Sequence, residues 1–162
     1  MFKKVNHILK KRDNYRMAFF NFDVHKVAAL NEVDETELLK NEGIIRNRLK
    51  IKSARINATA FIEIQNEFGS FDSYIWKYVD GKSIDKKHAP MDDYPTKDEI
   101  SDEISKDLKR RGMKFVGSTI IYAYMQAVGL INAHTTDCFR HGELTNRKGK
   151  NVWVNRIWQS YQ

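Results

Sequence analysis

Apolar residues recur at three- and four-residue intervals along most of the chain, which is the spacing of amphipathic helices. The longest such run extends from Ile44 to Phe68, and Gly69 can end it. Shorter runs surround it, one of them introduced by Asp23 as a helix cap. Only two prolines, Pro90 and Pro95, interrupt the pattern. The sequence therefore predicts an all-α fold built from several short helices and one long one.

A capping-box spacing and a glycine delimit one helix in the second half of the chain. Thr96 is followed three residues later by Glu99, which predicts the helix start. Gly112 can end that helix near Arg111, because glycine adopts the left-handed conformation without a Cβ clash. The polar residues 82–95 before this helix predict a surface loop.

The segment Met113 to Gly117, called the hairpin below, predicts a tight turn into an apolar helix from Ser118 to Val128. Gly117 lets the hairpin backbone come close to a partner, and Ser118 or Thr119 can cap the helix. The unpaired N–H groups of a helix start, with their partial positive charge, favour a phosphate. This segment alone leaves two interpretations open, a phosphate-binding helix-hairpin-helix and an ordinary helix-turn-helix corner in a core.

Charge and cysteine content narrow the class of protein. The 162 residues carry a formal charge of +7, which favours an acidic partner, nucleic acid first and an anionic membrane surface second. The single cysteine, Cys138, excludes an internal disulfide framework, and no apolar run of signal-peptide length follows Met1. No apolar stretch approaches the roughly 20 residues that a membrane span needs. We therefore expect a compact cytoplasmic protein that does not associate with a membrane.

Several short segments match, in order along the chain, the motifs of one enzyme family. They are Leu9 to Tyr15, Phe22 to Val24, Gly43 to Arg48, Ser105 to Leu108, Lys114 to Gly117, Met125 to Leu130, Ile131 to His134, and Cys138. On these residues the chain resembles the DNA-3-methyladenine glycosylase I family of the helix-hairpin-helix glycosylase superfamily. The match covers roughly 130 residues, and such a collinear set of motifs is far more specific than one hairpin.

The resemblance implies an activity and an architecture. The family's enzymes hydrolyse the N-glycosidic bond of 3-methyladenine in double-stranded alkylated DNA during base-excision repair, leaving an abasic site. The implied fold is a helix-hairpin-helix glycosylase-like helical bundle over residues 1–143, truncated at its N-terminus. A polar linker and a C-terminal amphipathic helix follow over residues 144–162, since Val154, Ile157, Trp158 and Tyr161 share one helical face. No obligate protein partner is indicated.

The resemblance also assigns site residues. Phosphate contacts fall on the backbone of the hairpin and of the next helix start, with Lys114 adding charge. These DNA-binding residues are Lys114, Phe115, Val116, Gly117, Ser118 and Thr119.

A second assigned site concerns a metal. His134 and Cys138 match the family's second pair of zinc ligands, and their four-residue spacing places both on one helical face. Zinc is therefore the cofactor that the resemblance implies, although two ligands are half of a structural zinc site. His141 can extend the set. The alternative is a free Cys138 thiol beside a partly buried His134.

The chain also departs from the family. The family's opening segment carries two further zinc ligands and most of the base pocket. It also carries a base-reading Glu in a Glu-Gly-x-Gln-Ala-Gly-Leu-Ser-Trp motif. This sequence contains none of these features. Val5 stands where the motif's final Trp is expected. A shortened gene, a misplaced start codon and a degenerate paralogue are each compatible with this pattern. We therefore assign no catalytic residue, expect weak or absent catalysis by the chain as written, and keep a non-catalytic DNA-binding helix-hairpin-helix protein as the alternative.

Overall fold

The computed structural model describes residues 10–89 and 94–145. The chain forms two compact units. The first consists of residues 1–71 with 108–115, and the second of residues 72–107 with 116–162, each as far as the structure describes them. The predicted C-terminal helix lies outside the described residues, so the division of the chain at residue 143 stays a prediction.

Within its described residues, the first unit contains one long helix and three shorter ones before it. Their bounds are Arg12–Ala18 (α1), Val24–Ala28 (α2), Glu32–Lys40 (α3) and Arg48–Phe68 (α4), with a 3-10 turn at Phe20–Phe22. Two predicted boundaries are confirmed. The Asp23 carboxylate accepts hydrogen bonds from the N–H groups at the start of α2, and Gly69 ends α4 with a φ of 79°.

The core of the first unit lies along α4. Both α2 and α3 pack against this helix. The buried side chains of the core are Phe19, Val27, Leu30, Leu38, Ile44, Ile51 and Ala58. Ile51 and Ala58 are seven residues apart and therefore on one face of α4. Each large aliphatic or aromatic side chain buried in this way contributes roughly 1.5–3 kcal/mol of hydrophobic stabilisation.

The remaining elements follow in chain order and lie mostly in the second unit, although Phe71 and the residues from Leu108 to Arg110 belong to the first. They are Phe71–Trp76 (α5), a 3-10 helix at Lys77–Val79, Ile84–Asp85 (β1), Glu99–Arg110 (α6), Ser118–Val128 (α7), Ile131–Asn132 (β2) and Phe139–Thr145 (α8). The predicted helical fold class is confirmed, and α7 has the predicted bounds. No helix in the described ranges is both long and apolar enough to cross a membrane.

One small sheet departs from the all-α expectation. Strands β1 and β2 pair in parallel, with Ile84 opposite Ile131 and Asp85 opposite Asn132. The prediction of a loop over residues 82–95 is therefore wrong at β1. A strand of two residues is too short to show the alternation of side chains that marks strands in a sequence, and its partner lies far along the chain.

Two predicted helix caps are also wrong. Asp98, not Thr96, caps α6: its carboxylate accepts the N–H of Ser101, and the Ser101 hydroxyl oxygen accepts the N–H of Asp98. Asp98 directly precedes the first turn, so its side-chain oxygen reaches the unpaired N–H groups there. At α7 the cap position is Gly117, and no side chain bonds the first turn, so neither Ser118 nor Thr119 is a cap.

Candidate nucleic-acid interface

The end of α6 has the predicted glycine geometry. Gly112 has a φ of 92°, in the left-handed region. Its N–H donates to the carbonyl of Lys109, and the N–H of Met113 donates to the carbonyl of Leu108, both at 3.0 Å. These two bonds satisfy carbonyls of the last helical turn. Met113 is buried, so the first residue of the hairpin is anchored in the protein.

In the first unit, the Asn57 side chain of α4 holds the backbone of Lys114 through two hydrogen bonds. Its Nδ2 donates to the Lys114 carbonyl at 3.0 Å, and its Oδ1 accepts the Lys114 N–H at 2.8 Å. A primary amide carries a donor and an acceptor side by side, so it can bond both polar groups of one residue. We call this arrangement the Asn57 latch.

Phe115 follows the latched residue and has an uncommon backbone conformation. Its φ is 59°, which residues with a Cβ adopt at a cost of roughly 1–2 kcal/mol. The residue is 54% exposed, so burial of its ring does not explain the strain. Lys50 Nζ, from the first turns of α4, lies 6.0 Å from the ring centroid.

In the second unit, a buried serine fixes the backbone at Val116. The Ser105 hydroxyl of α6 donates to the Val116 carbonyl at 2.7 Å, and Ser105 is only 1% exposed. Gly117 then has extended backbone, with φ −67° and ψ 156°, and Ser118 is the first residue of α7. A Cβ built on Gly117 meets no atom of the described residues within 4 Å. The protein itself therefore does not require glycine at this position.

The start of α7 presents consecutive backbone donors. Among the described residues, none accepts a hydrogen bond from the N–H groups of residues 116 to 120. Thr119 and Ile120 are exposed, whereas Val116, Gly117 and Ser118 are partly buried. Open N–H groups at a helix start, together with the helix dipole, bind anions such as phosphate. The predicted contact residues Val116 to Thr119 thus lie on one stretch of backbone with open N–H groups, and their binding of phosphate stays a prediction.

The basic side chains near the hairpin differ in what they contact. Lys114 is exposed, and its ammonium group makes no hydrogen bond or ion pair with the described residues. The guanidinium of Arg111 instead bonds both carboxylate oxygens of Glu67, at 2.5 and 3.2 Å, and lies over the Phe68 ring. Lys114, unlike Arg111, is therefore available to an anionic ligand.

The predicted metal ligands lie close together, but not on a helix. His134 and Cys138 lie in the loop between β2 and α8, so the expectation of a shared helical face is wrong. A turn in which the Cys138 N–H donates to the Thr135 carbonyl at 2.9 Å brings them together. Cys138 Sγ is 3.6 Å from His134 Nδ1. Two adjacent ligands of a tetrahedral zinc ion, one sulfur and one nitrogen, are about 3.5 Å apart.

The rest of a zinc site is absent from the described residues. His141, the third residue considered, has its Nε2 2.9 Å from Asp85 Oδ1. No group of three or more His, Cys, Asp or Glu side chains in the described ranges is placed to hold a metal ion. A structural zinc ion takes four protein ligands, so these residues fit two corners of the site and do not complete it.

Sequence reasoning missed Asn57 and Ser105, which hold the hairpin backbone. Each had a weak signal in the sequence. Asn is a poor residue for a helix interior, and Asn57 lies in the middle of the longest predicted helix. Ser105 falls in a helix that buries neighbouring apolar positions such as Leu108, so a serine there needs a hydrogen-bond partner. Neither signal identifies the partner.

The comparisons with known proteins agree on one class. Open backbone donors at a helix start and a positive net charge are features that favour a phosphate-bearing ligand. A family profile described as methyladenine glycosylase matches residues 4–141. The chain belongs to the methyladenine glycosylase family, which confirms the resemblance seen in its motifs.

Two curated relatives are similar over most of the chain. DNA-3-methyladenine glycosylase 1 of Escherichia coli (strain K12) is 42% identical over 131 residues, which is 81% of this chain and 70% of that protein. DNA-3-methyladenine glycosylase of Haemophilus influenzae is 39% identical over 131 residues, 81% of this chain and 71% of that protein.

Solved structures are similar in fold as well. A crystal structure of 3-methyladenine DNA glycosylase I has a TM-score of 0.76 at 46% identity, covering 81% of this chain and 72% of that one. A structure of the Staphylococcus aureus enzyme, described as the structural basis of 3-methyladenine recognition, has a TM-score of 0.78 at 32% identity, covering 88% and 73%.

Proposed function

We propose that this chain acts in the repair of alkylated DNA, by hydrolysing the N-glycosidic bond of 3-methyladenine. The observation that carries the proposal is the family match over residues 4–141, with relatives named for that activity. A related structure contains 3-methyladenine itself. The helical fold, the positive charge and the open donors of α7 support a duplex as the macromolecular ligand.

The duplex is held, in this proposal, by a helix-hairpin-helix grip. The start of α7 donates the N–H groups of Val116, Gly117, Ser118 and Thr119 to a backbone phosphate. Lys114 adds a positive charge, and the exposed Phe115 ring lies between it and these donors in the chain. Gly117 fits this role because the space beside its Cα is open, so a phosphate can approach the backbone there.

The chemistry requires the protein mainly to expose and bind the base. A 3-methylated adenine carries positive charge, which makes it a good leaving group once it has been extruded from the stack. Contacts to phosphate position the DNA for this step but do not break a bond. The described residues therefore account for the binding of DNA, and we assign none of them a catalytic role.

We also propose that His134 and Cys138 serve as two ligands of a structural zinc ion. Their 3.6 Å separation is what supports this, because it matches adjacent corners of a tetrahedron. A bound zinc ion would tie the loop after β2 to the start of α8. The protein's interaction with DNA does not depend on this site in the proposal.

The experiment that tests the function measures free 3-methyladenine released from alkylated duplex DNA by the purified chain. Release above the rate in buffer supports the proposal. Binding of the duplex without any release would overturn the proposal and indicate a non-catalytic DNA-binding protein.

A further inference from the structure

Asn57 occupies a position that helix formation alone does not favour. Asn in a helix interior is less favourable than Ala by up to about 0.7 kcal/mol, since its side chain competes for nearby backbone groups. Both polar ends of the Asn57 amide instead bond Lys114, 57 residues further along the chain. The side chain therefore neither caps α4 nor simply faces solvent. It connects the middle of the longest helix to the hairpin.

The latch acts on the residue that precedes the strained Phe115. A left-handed residue with a Cβ persists only where the surrounding structure fixes it. Asn57 fixes both polar backbone groups of Lys114 on one side in sequence. Ser105, within the second unit, fixes the carbonyl of Val116 on the other side. The uncommon φ of Phe115 is thus held by hydrogen bonds at each neighbouring residue.

These hydrogen bonds also engage carbonyl groups of the hairpin but not the N–H groups that follow. A carbonyl oxygen is partially negative and repels a phosphate, whereas an N–H group attracts it. Asn57 Nδ2 occupies the Lys114 carbonyl, and Ser105 Oγ occupies the Val116 carbonyl. The N–H groups that follow are left open among the described residues. The partially negative groups are therefore engaged by the protein while the partially positive ones stay available.

The same face of α4 approaches the hairpin a second time. Lys50 and Asn57 are seven residues apart, which places them on one side of the helix. Lys50 Nζ lies 6.0 Å from the Phe115 ring centroid. The face of α4 that contains the latch therefore also brings a positive charge to the exposed aromatic ring.

We propose that Asn57 is a positioning residue for DNA binding. Its amide holds the backbone of Lys114 and Phe115 in the conformation that presents the hairpin to a phosphate. This role rests on the proposed function, because its ligand is duplex DNA. Asn57 itself contacts no DNA in this proposal. Asn57 acts through the backbone of Lys114.

The test compares variants of the full chain in binding to a fluorescently labelled 20-base-pair duplex, at one fixed salt concentration. Asn57→Ala removes both bonds, and we expect duplex binding to weaken about tenfold, which corresponds to roughly 1.4 kcal/mol. Asn57→Asp keeps an acceptor for the Lys114 N–H but cannot donate to its carbonyl, so we expect a loss at least as large. Thr59→Ala is the matched control, because the Thr59 hydroxyl bonds only the Arg55 carbonyl within α4, and it should leave the affinity unchanged.

Two further measurements distinguish a purely structural role of Asn57 from a role in positioning the hairpin for DNA. Thermal melting and circular dichroism establish that each variant is folded. If Asn57→Ala does not fold, the binding comparison uses Asn57→Asp instead. In the double variant with Asn57→Ala and Gly117→Ala, the fold loss of duplex affinity should be smaller than the product of the two single losses, because both substitutions act on the same phosphate contact. Folded Asn57 variants that bind duplex as tightly as the wild type would overturn the proposal.

The result for the unsubstituted chain distinguishes the two proposals. If it releases 3-methyladenine and binds duplex, but the Asn57 variants bind equally well, only the positioning role fails. If the unsubstituted chain neither binds duplex at low salt nor releases 3-methyladenine, the proposed function itself fails, and the positioning role is refuted with it.

Discussion

The hydroxyl of Tyr74, in α5, donates a 2.7 Å hydrogen bond to Oδ2 of Asp107, in α6. Tyr78 donates to the same oxygen at 3.1 Å, and the two tyrosine rings meet edge to face. The ammonium of Lys77 lies within 5 Å of both ring centroids, at 4.7 and 4.9 Å. Tyr74 is fully buried, and this carboxylate accepts the hydrogen bond that its hydroxyl donates.

Replacing the carboxylate should destabilise the fold. Asp107→Ala removes the carboxylate to which the Tyr74 and Tyr78 hydroxyls donate, and we expect the free energy of unfolding to fall by roughly 2–3 kcal/mol. Urea denaturation measures the change. Tyr78→Phe is the control. It removes the 3.1 Å bond to Asp107 and the longer 3.4 Å contact with the Tyr74 hydroxyl but leaves the bond from Tyr74 to Asp107, and its effect should be about 1 kcal/mol. An equal or larger loss from Tyr78→Phe would contradict the importance of the Tyr74 contact.

Alkaline pH should weaken the fold through buried tyrosines. Burial raises the pKa of Tyr124 to about 12, and the negative charge of Asp72 adds to the shift. In the unfolded chain a tyrosine loses its proton near pH 10. Above that pH the unfolded state binds fewer protons than the folded state, so stability is constant up to about pH 10 and falls between pH 10 and pH 12.

The measurement is the free energy of unfolding in urea at pH 8, 10 and 11. Tyr124→Phe removes one of the groups that must ionise, so its stability should decline less steeply with pH than that of the wild type. Burial raises the pKa of Tyr74 as well, so some decline remains in the variant. Identical slopes in the two proteins would show that Tyr124 does not contribute.

Gly117→Ala should weaken DNA binding without loss of stability. The new methyl group meets no atom within 4 Å in the part of the chain that the structure describes, and the extended backbone at this residue suits alanine. It would, however, stand in the space through which a phosphate approaches the start of α7. Duplex affinity and melting temperature are measured together, with Lys97→Ala as a control for a scattered surface charge. Equal losses of affinity from the two variants would argue against a hairpin grip.

Substitution of Lys114 should change the salt dependence of DNA binding, whereas substitution of Arg111 should not. Lys114→Ala removes a free charge, and the slope of log K against log salt should decrease in magnitude by about 0.9. Arg111→Ala breaks the contacts with Glu67 and Phe68, so we expect a lower melting temperature and an unchanged slope. A reduced slope for Arg111→Ala would mean that this guanidinium reaches the phosphates after all.

Zinc bound by His134 and Cys138 alone should be held weakly. Two ligands leave half of the tetrahedral site to water or to donors beyond the described residues. We therefore expect added Zn²⁺ to bind and to be removed readily by a chelator, with Cys138→Ser abolishing the binding. Elemental analysis before and after dialysis against the chelator measures this. One equivalent of zinc that resists the chelator would show that two further ligands exist in the chain.

Local signals in the sequence determined where most helices begin and end. Asp23, Gly69 and Gly112 each act on the backbone within a few residues of their own position, so their effect is independent of the rest of the fold. The apolar period located α4 and α7 for the same reason. The family motifs, read in order, also identified the family, because a collinear set of motifs over roughly 130 residues is far more specific than any one of them.

Tertiary structure decided the contacts that give the site its geometry. The Asn57 latch, the Ser105 bond to Val116 and the pairing of β1 with β2 each join residues whose sequence neighbourhoods do not indicate one another. The same holds for His134 and Cys138, whose spacing fits a helix but whose proximity comes from a turn. Polar side chains can bond any backbone group that packing brings within reach, so the partner is fixed only when the helices have packed.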